Sequence, residues 1–345
     1  MKAINVGVEN ARDWRPEENL PLAIEALRSA GRVLLTMHRG PDGDALGSAL
    51  GLAQALREMG REVVVYNPDD LPYNFLFLAG ASDVVRSLPA DARFDATVAT
   101  DSGAFARLGP DVPTPERRGV LINLDHHITT EPFGDVNYVD PAAAAVGVLV
   151  YKIIRGLGHT LSMKSAECLY ASILADTGCF KYASTDPECL RIAADLLEAG
   201  VDPWEMTVRV YEQQPLARMK LLAEVLGTLE VEGRLATITI KKEMIARTGT
   251  HLDLTDGFIN YARSIDGIEV AASFREPEEQ TPGTWRVSFR SRGRVDVSAI
   301  AQRFGGGGHR NAAGCAIAGD EAQVRARIAH EIDQALSQDR THAHG

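Results

Sequence analysis

The chain has 345 residues, enough for two domains or one large one. At 45% hydrophobic and 24% charged residues it has the composition of a globular protein with a sizeable core. A net charge of −11 excludes a protein that grips long duplex nucleic acid by phosphate neutralisation, but leaves room for a short anionic substrate at a local site. In chain order, residues 21–29 read as a helix and 32–37 as a short buried strand. Residues 45–59 form a helix with small residues on its packed face, ended by Gly60 in the left-handed region. Strands follow at 62–66, 94–100 and 119–124, and a long helical pattern runs over 161–174. Short apolar strands alternating with helices predict an α/β domain around a mostly parallel sheet covered on both faces.

Residues 203–222 read as a charged helical connection, and the pattern changes near 227. GTLEVEGRLATITI predicts a hairpin turning at Glu232 and Gly233. IEVAASF and TWRVSFRS are two further strands joined by REPEEQTPG. A helix at 297–304, the run GGGGHRNAAGCAIAG and a last helix from about 320 complete a smaller α+β domain. The expected division is 1–202, a linker at 203–226, and 227–345. The first residues contain no apolar segment of a secretory signal, and no apolar run reaches membrane-spanning length. Cys168, Cys179, Cys189 and Cys315 make no C-x-x-C pair. These features predict a cytoplasmic protein with no membrane partner.

In a parallel sheet the carboxyl ends of the strands share one edge, and ligands bind outside that edge. His38, Asp42 and Asp44 follow the first strand in HRGPDGDALGS. Asp101 follows the third in ATDSG, and Asp125, His126 and His127 follow the fourth in NLDHH. Asp176 ends a helix in LADTGCF. Taken alone, Gly-Pro-Asp-Gly is an ordinary turn and Asp101 an ordinary helix cap. Together the segments supply His38, Asp42, Asp44, Asp101, His126 and Asp176 as metal donors. Several carboxylates gathered without cations would repel one another, and two divalent ions remove that repulsion. Such a pair would also clamp a phosphoryl group and activate a water.

These motifs, in this order, with FGDVNYVDP and GGGGHRNAAG, resemble the DHH phosphoesterases, specifically short members that join a DHH domain to a DHH-associated domain. The resemblance spans nearly the whole chain and is strongest to the nanoRNases that also act on 3′-phosphoadenosine 5′-phosphate. It implies one Mn²⁺ on His38, Asp42, Asp101 and Asp176, and a second on Asp44, Asp101, His126 and Asp176. Asp125 would orient the site from behind, and His127 would face the substrate phosphate. Imidazole among the carboxylates favours Mn²⁺, with Mg²⁺ or Co²⁺ as substitutes. One departure is Ala142 to Val148, AAAAVGV, where relatives often carry a Ser-rich segment with a Glu.

Four consecutive glycines suggest close backbone approach and an anion nest. By resemblance Gly306, Gly307, Gly308 and His309 bind the far side of the substrate, with Arg290 as a phosphate or base partner. The expected activity is hydrolysis of short oligoribonucleotides to mononucleotides and of 3′-phosphoadenosine 5′-phosphate to AMP, with self-association as a homodimer left open. A phosphodiesterase for cyclic or linear dinucleotides shares every catalytic residue and is the alternative. A catalytically silent nucleotide sensor is a third reading, against which the intact donor set speaks.

Overall fold

The computed structural model describes residues 14–279 and 281–342. The chain forms two compact units that part between Gln213 and Gln214. The first holds a five-stranded sheet of β1 (Arg32–Met37), β2 (Glu62–Tyr66), β3 (Ala96–Thr100), β4 (Val120–Asp125) and β5 (Val136–Val139). Their spatial order is β2-β1-β3-β4-β5, and every pairing is parallel. β5 was not foreseen: VNYV is too short and too tightly bracketed by Asp135 and Asp140 to stand out as a strand.

Alternation along the strands splits the apolar residues between two faces. Val33, Leu35, Met37, Val98, Ile122 and Leu124 join the main core under the helices. Leu34, Tyr66 and Phe94 form a smaller cluster on the other face. The connections on the side of that second cluster carry only short helical turns such as Phe105–Arg107 and Pro115–Arg118.

The helices Gly43–Glu58 and Met163–Asp176 cross at very short range. A Cβ on Gly47 would lie 2.6 Å from the Cys168 carbonyl oxygen, and one on Gly51 would lie 2.6 Å from Leu169 Cδ2. Asp44, Gly47 and Gly51 share a helix face by their i, i+3, i+7 spacing. The same close approach therefore brings Asp44 beside Ser172, one turn before Asp176. At the first helix, Pro16–Ser29, Pro16 occupies the first turn and Pro21 lies inside, where it has no N–H to give the Glu17 carbonyl.

The second unit holds a six-stranded sheet in the order β10-β11-β9-β8-β7-β6. Its strands are β6 (Glu230–Glu232), β7 (Leu235–Ile240), β8 (Val270–Arg275), β9 (Thr284–Ser291), β10 (Gly307–His309) and β11 (Ala312–Ala318). β7 and β8 pair in parallel and the other pairs are antiparallel. The helices Val297–Gln302 and Glu321–His342 cover one face around Trp285, Val287 and Phe289. The helix Leu216–Leu226 covers the other with Leu221, Leu222 and Val225. Residues 203–222 are thus not one helix: Pro203–Thr207 runs into a wide turn at Val208–Glu212, and a new helix starts after Pro215. No helix among the described residues is long and apolar enough to cross a membrane.

Candidate metal centre

In the sheet, Met37 pairs with Thr100 and Thr100 with Leu124. The next residues, His38, Asp101 and Asp125, therefore leave neighbouring strands side by side at one edge. Asp42 caps the helix Gly43–Glu58, its Oδ1 accepting from the N–H groups of Asp44 and Ala45 at 3.0 Å each. The cap role read from the sequence for Asp101 thus falls to Asp42 in Gly-Pro-Asp-Gly, and the capped helix start brings Asp42 and Asp44 to the strand ends.

The six expected donors come together. His38 Nε2 lies 3.5 Å from Asp101 Oδ2 and 3.9 Å from Asp42 Oδ1. His126 Nε2 lies 3.7 Å from Asp44 Oδ2, 3.8 Å from Asp101 Oδ1 and 3.5 Å from Asp176 Oδ2. The donors fall into three overlapping sets, His38 with Asp42 and Asp101, His126 with Asp44 and Asp176, and Asp101 with His126 and His127. Asp101 stands between His38 and His126, one oxygen toward each imidazole. Its φ of +55 is a left-handed conformation, uncommon outside glycine but one that Asp and Asn adopt more readily than other residues. Its Oδ1 is buried without a hydrogen-bond partner, although buried polar atoms are seldom left so. A buried carboxylate oxygen that no hydrogen bond satisfies, ringed by imidazoles and further carboxylates, is part of a donor set that suits divalent cations.

The surrounding groups lock these donors in place. His126 Nδ1 bonds the Ala143 carbonyl at 3.0 Å, and His38 Nδ1 bonds the Arg39 carbonyl at 2.9 Å, so each Nε2 is the nitrogen turned to the cluster. Asp44 accepts from Ser172 Oγ at 2.5 Å and from the N–H groups of Val146 at 2.8 Å and Gly147 at 3.3 Å. Asp125 is fully buried. It accepts from the His126 N–H at 2.8 Å, from His127 Nδ1 at 2.7 Å and from the Thr130 hydroxyl. Sequence reasoning missed Ser172, Thr130 and the backbone of 146–147. Each is an ordinary residue type, and its role follows only from packing.

Electrostatics agree with a surplus of negative charge. Burial works against a charge on His38, yet its hydrogen bonds to Asp101 and Asp42 lift it to about 10. Burial likewise opposes His126, which Asp44, Asp176 and Asp101 raise to about 9. Burial, reinforced by Asp101 and Asp176, drives Asp44 well above the carboxylate range. Burial lifts Asp176 to about 6, opposed by His126 and helped by Asp101. The cluster takes up protons because it gathers more carboxylates than its two imidazoles can balance, and cations would fill the same need.

In the second unit the glycine run is a short strand rather than an open loop. Gly307, Gly308 and His309 pair with Gly314, Ala313 and Ala312. A Cβ on Gly306 would lie 2.1 Å from the Gly314 carbonyl oxygen, and one on Gly308 would lie 2.5 Å from that of Ala312. The close approach read from the sequence is thus, at these two positions, the approach of β11. The side chain of His309 lies outside the described residues. Arg290 stands in β9 opposite Ala312, and its Nη1 donates to the Phe289 carbonyl at 3.0 Å.

The DHH family, N-terminal domain, matches residues 32–173, and the DHHA1 domain matches residues 236–338. The chain is 36% identical over 335 residues to the bifunctional oligoribonuclease and PAP phosphatase NrnA of Thermus thermophilus, spanning 95% of this chain and 98% of that one. It is 30% identical to the Bacillus subtilis protein of the same name, over 83% of this chain and 89% of that one. Among solved structures, an exopolyphosphatase-related protein from Bacteroides fragilis superposes with a TM-score of 0.83 at 26% identity, covering 93% of this chain and 96% of that one. With both domain matches, two relatives along most of its length and the donor cluster at the sheet edge, the chain belongs to the DHH family of phosphoesterases.

Proposed function

We propose that the chain is a Mn²⁺-dependent phosphoesterase that hydrolyses short oligoribonucleotides to mononucleotides and 3′-phosphoadenosine 5′-phosphate to AMP. The observation that carries this reading is Asp101, buried, with no hydrogen bond to Oδ1, and common to two of the three His–Asp sets. The activities for which the Thermus and Bacillus relatives are named supply the substrates. His38, Asp42, Asp101 and Asp176 would hold one ion, and Asp44, Asp101, His126 and Asp176 the other. Two such ions, when bound, neutralise phosphoryl charge and lower the pKa of a water. Nitrogen among the donors supports Mn²⁺ over Mg²⁺, which binds imidazole poorly.

The chain's own residues do the rest. Asp125, steadied by Thr130, accepts the Nδ1–H of His127 and favours its protonated form, an imidazolium whose Nε2–H would donate to a phosphate oxygen on which charge develops. The second unit recognises the remainder of the substrate through Arg290, Gly306, Gly307, Gly308 and His309. The free cysteines support a cytoplasmic setting. The test is a panel of 3′-phosphoadenosine 5′-phosphate, a dinucleotide, a longer RNA and a cyclic dinucleotide. Turnover of the first two with Mn²⁺, abolished by chelation, is expected. Preference for the cyclic dinucleotide, or full activity in metal-free buffer, would refute it.

A further inference from the structure

A cavity of about 550 Å³ lies within the second unit, over the sheet face opposite the Trp285 core. Alternation along β9 buries Trp285, Val287 and Phe289 and turns Arg286, Ser288 and Arg290 into the cavity. On β8 the same rule buries Ala272 and Phe274 and presents Ser273 and Arg275. The register then sets Arg275 opposite Arg286 and Ser273 opposite Ser288. Like charges directly opposite one another on a sheet are destabilising. Here Glu278, from the loop after β8, answers both: it lies 3.2 Å from Arg275 Nη2 and 3.8 Å from Arg286 Nε. An acidic chain thus gathers three guanidinium groups in one cavity, with Asp256 the carboxylate among the lining residues.

We infer that the Arg275–Arg286 pair is a second phosphate subsite that takes a further phosphodiester of an oligonucleotide, with Glu278 standing in for that phosphate when the subsite is empty. This rests on the proposed function, in which Arg290 already receives part of the substrate. Arg286 and Arg290 are four residues apart on one strand, about 13 Å. That exceeds the reach of one phosphate and suits a chain carrying two or more. Arg286 is 58% exposed at its side chain, so it can swing from Glu278 to a ligand at little cost. Ser273 and Ser288, between the arginines, offer hydroxyls to the sugar. The subsite would therefore distinguish a trinucleotide from 3′-phosphoadenosine 5′-phosphate.

The test is calorimetric binding to the full chain held metal-free by chelation, so that nothing is hydrolysed. The probes are the 5′-phosphorylated trinucleotide of adenosine and 3′-phosphoadenosine 5′-phosphate. Arg286→Glu should weaken the trinucleotide about five- to tenfold, as expected for a charge-assisted contact on a half-exposed side chain. Glu278→Gln should tighten it about two- to threefold by removing the internal competitor. A damaged fold cannot produce that gain. The short probe should change less than twofold in both variants. Equal loss of both probes in Arg286→Glu, or an unchanged trinucleotide affinity in either variant, would overturn the subsite. Failure of the broader reading would show separately, as a wild type that hydrolyses neither probe with Mn²⁺, and would leave the binding ratios intact.

Discussion

Replacing Asp101 by Asn tests the centre at the carboxylate its donor sets share. Asn tolerates the left-handed backbone at φ +55, whereas Ala would keep about 1–2 kcal/mol of strain without a side chain to hold it. The exchange keeps size and removes the charge that faces His38 at 3.5 Å, His127 at 3.4 Å and His126 at 3.8 Å. Without ions the two effects on folding should largely offset, because Asp101 raises Asp44 and Asp176 but also holds the protonated imidazoles of His38 and His126. With ions a difference should appear. One ion at a hundred times its Kd adds about 2.7 kcal/mol to a folded chain. For a unit the size of Met1–Gln213 that corresponds to about 5–10 °C in Tm. Wild type should show this rise with Mn²⁺, and Asp101→Asn should lose most of it. Turnover should fall about a thousandfold, the several kcal/mol that a two-ion centre supplies. Paired melting curves with and without Mn²⁺, and kcat on 3′-phosphoadenosine 5′-phosphate, are the assays. A variant that keeps both the Mn²⁺-dependent rise and near-normal kcat would refute Asp101 as a shared ligand.

Other perturbations probe the frame around the donors. Ser172→Ala removes the hydroxyl that Asp44 accepts at 2.5 Å, and should weaken Mn²⁺ binding about tenfold by calorimetry while the fold persists; unchanged affinity would show the contact to be idle. Gly47→Ala drives a Cβ to 2.6 Å from the Cys168 carbonyl and should cost about 1–3 kcal/mol in a denaturant titration; an unchanged midpoint would mean the helices separate freely. For pH, His38 and His126 are raised above their ordinary 6.5 to about 10 and about 9. Their contribution to the metal-free protein is complete below 6.5 and is lost as pH climbs through those values, and Asp176, raised from 3.8 to about 6, works in the same direction at lower pH. Metal-free Tm should therefore fall between pH 6.5 and 10 while Mn²⁺ affinity rises, because the ions compete with those protons. Affinity that is flat with pH would contradict the assignment of these imidazoles as ligands.

What the sequence makes legible follows from what periodicity can carry. Buried parallel strands are apolar runs, and once three are recognised their carboxyl ends must share an edge. His38, Asp101 and Asp125 can thus be placed together with no knowledge of distances. Asp176 is harder, since it arrives from a helix, and only the glycine face of Gly43–Glu58 brings that helix close enough. The segment AAAAVGV is the instructive case. It reads as a departure from the pattern of the resembled family because it has neither serine nor Glu. Yet its service to the site is through backbone: the Ala143 carbonyl meets His126, and the N–H groups of Val146 and Gly147 meet Asp44. Backbone donors and acceptors are present whatever the side chains, so a side-chain pattern cannot report them. Small residues there let the chain pass close beside Ser172, which a Cβ on Gly147 would strike at 2.1 Å. The same limit applies in the second unit. The alternation in TWRVSFRS marks Arg286, Ser288 and Arg290 as one face, but the pairing of Arg286 with Arg275 depends on register, which no single strand encodes. Glu278, four residues beyond the last of the IEVAASF strand, reads as one more charge in a polar loop until that register makes it the shared partner of two arginines.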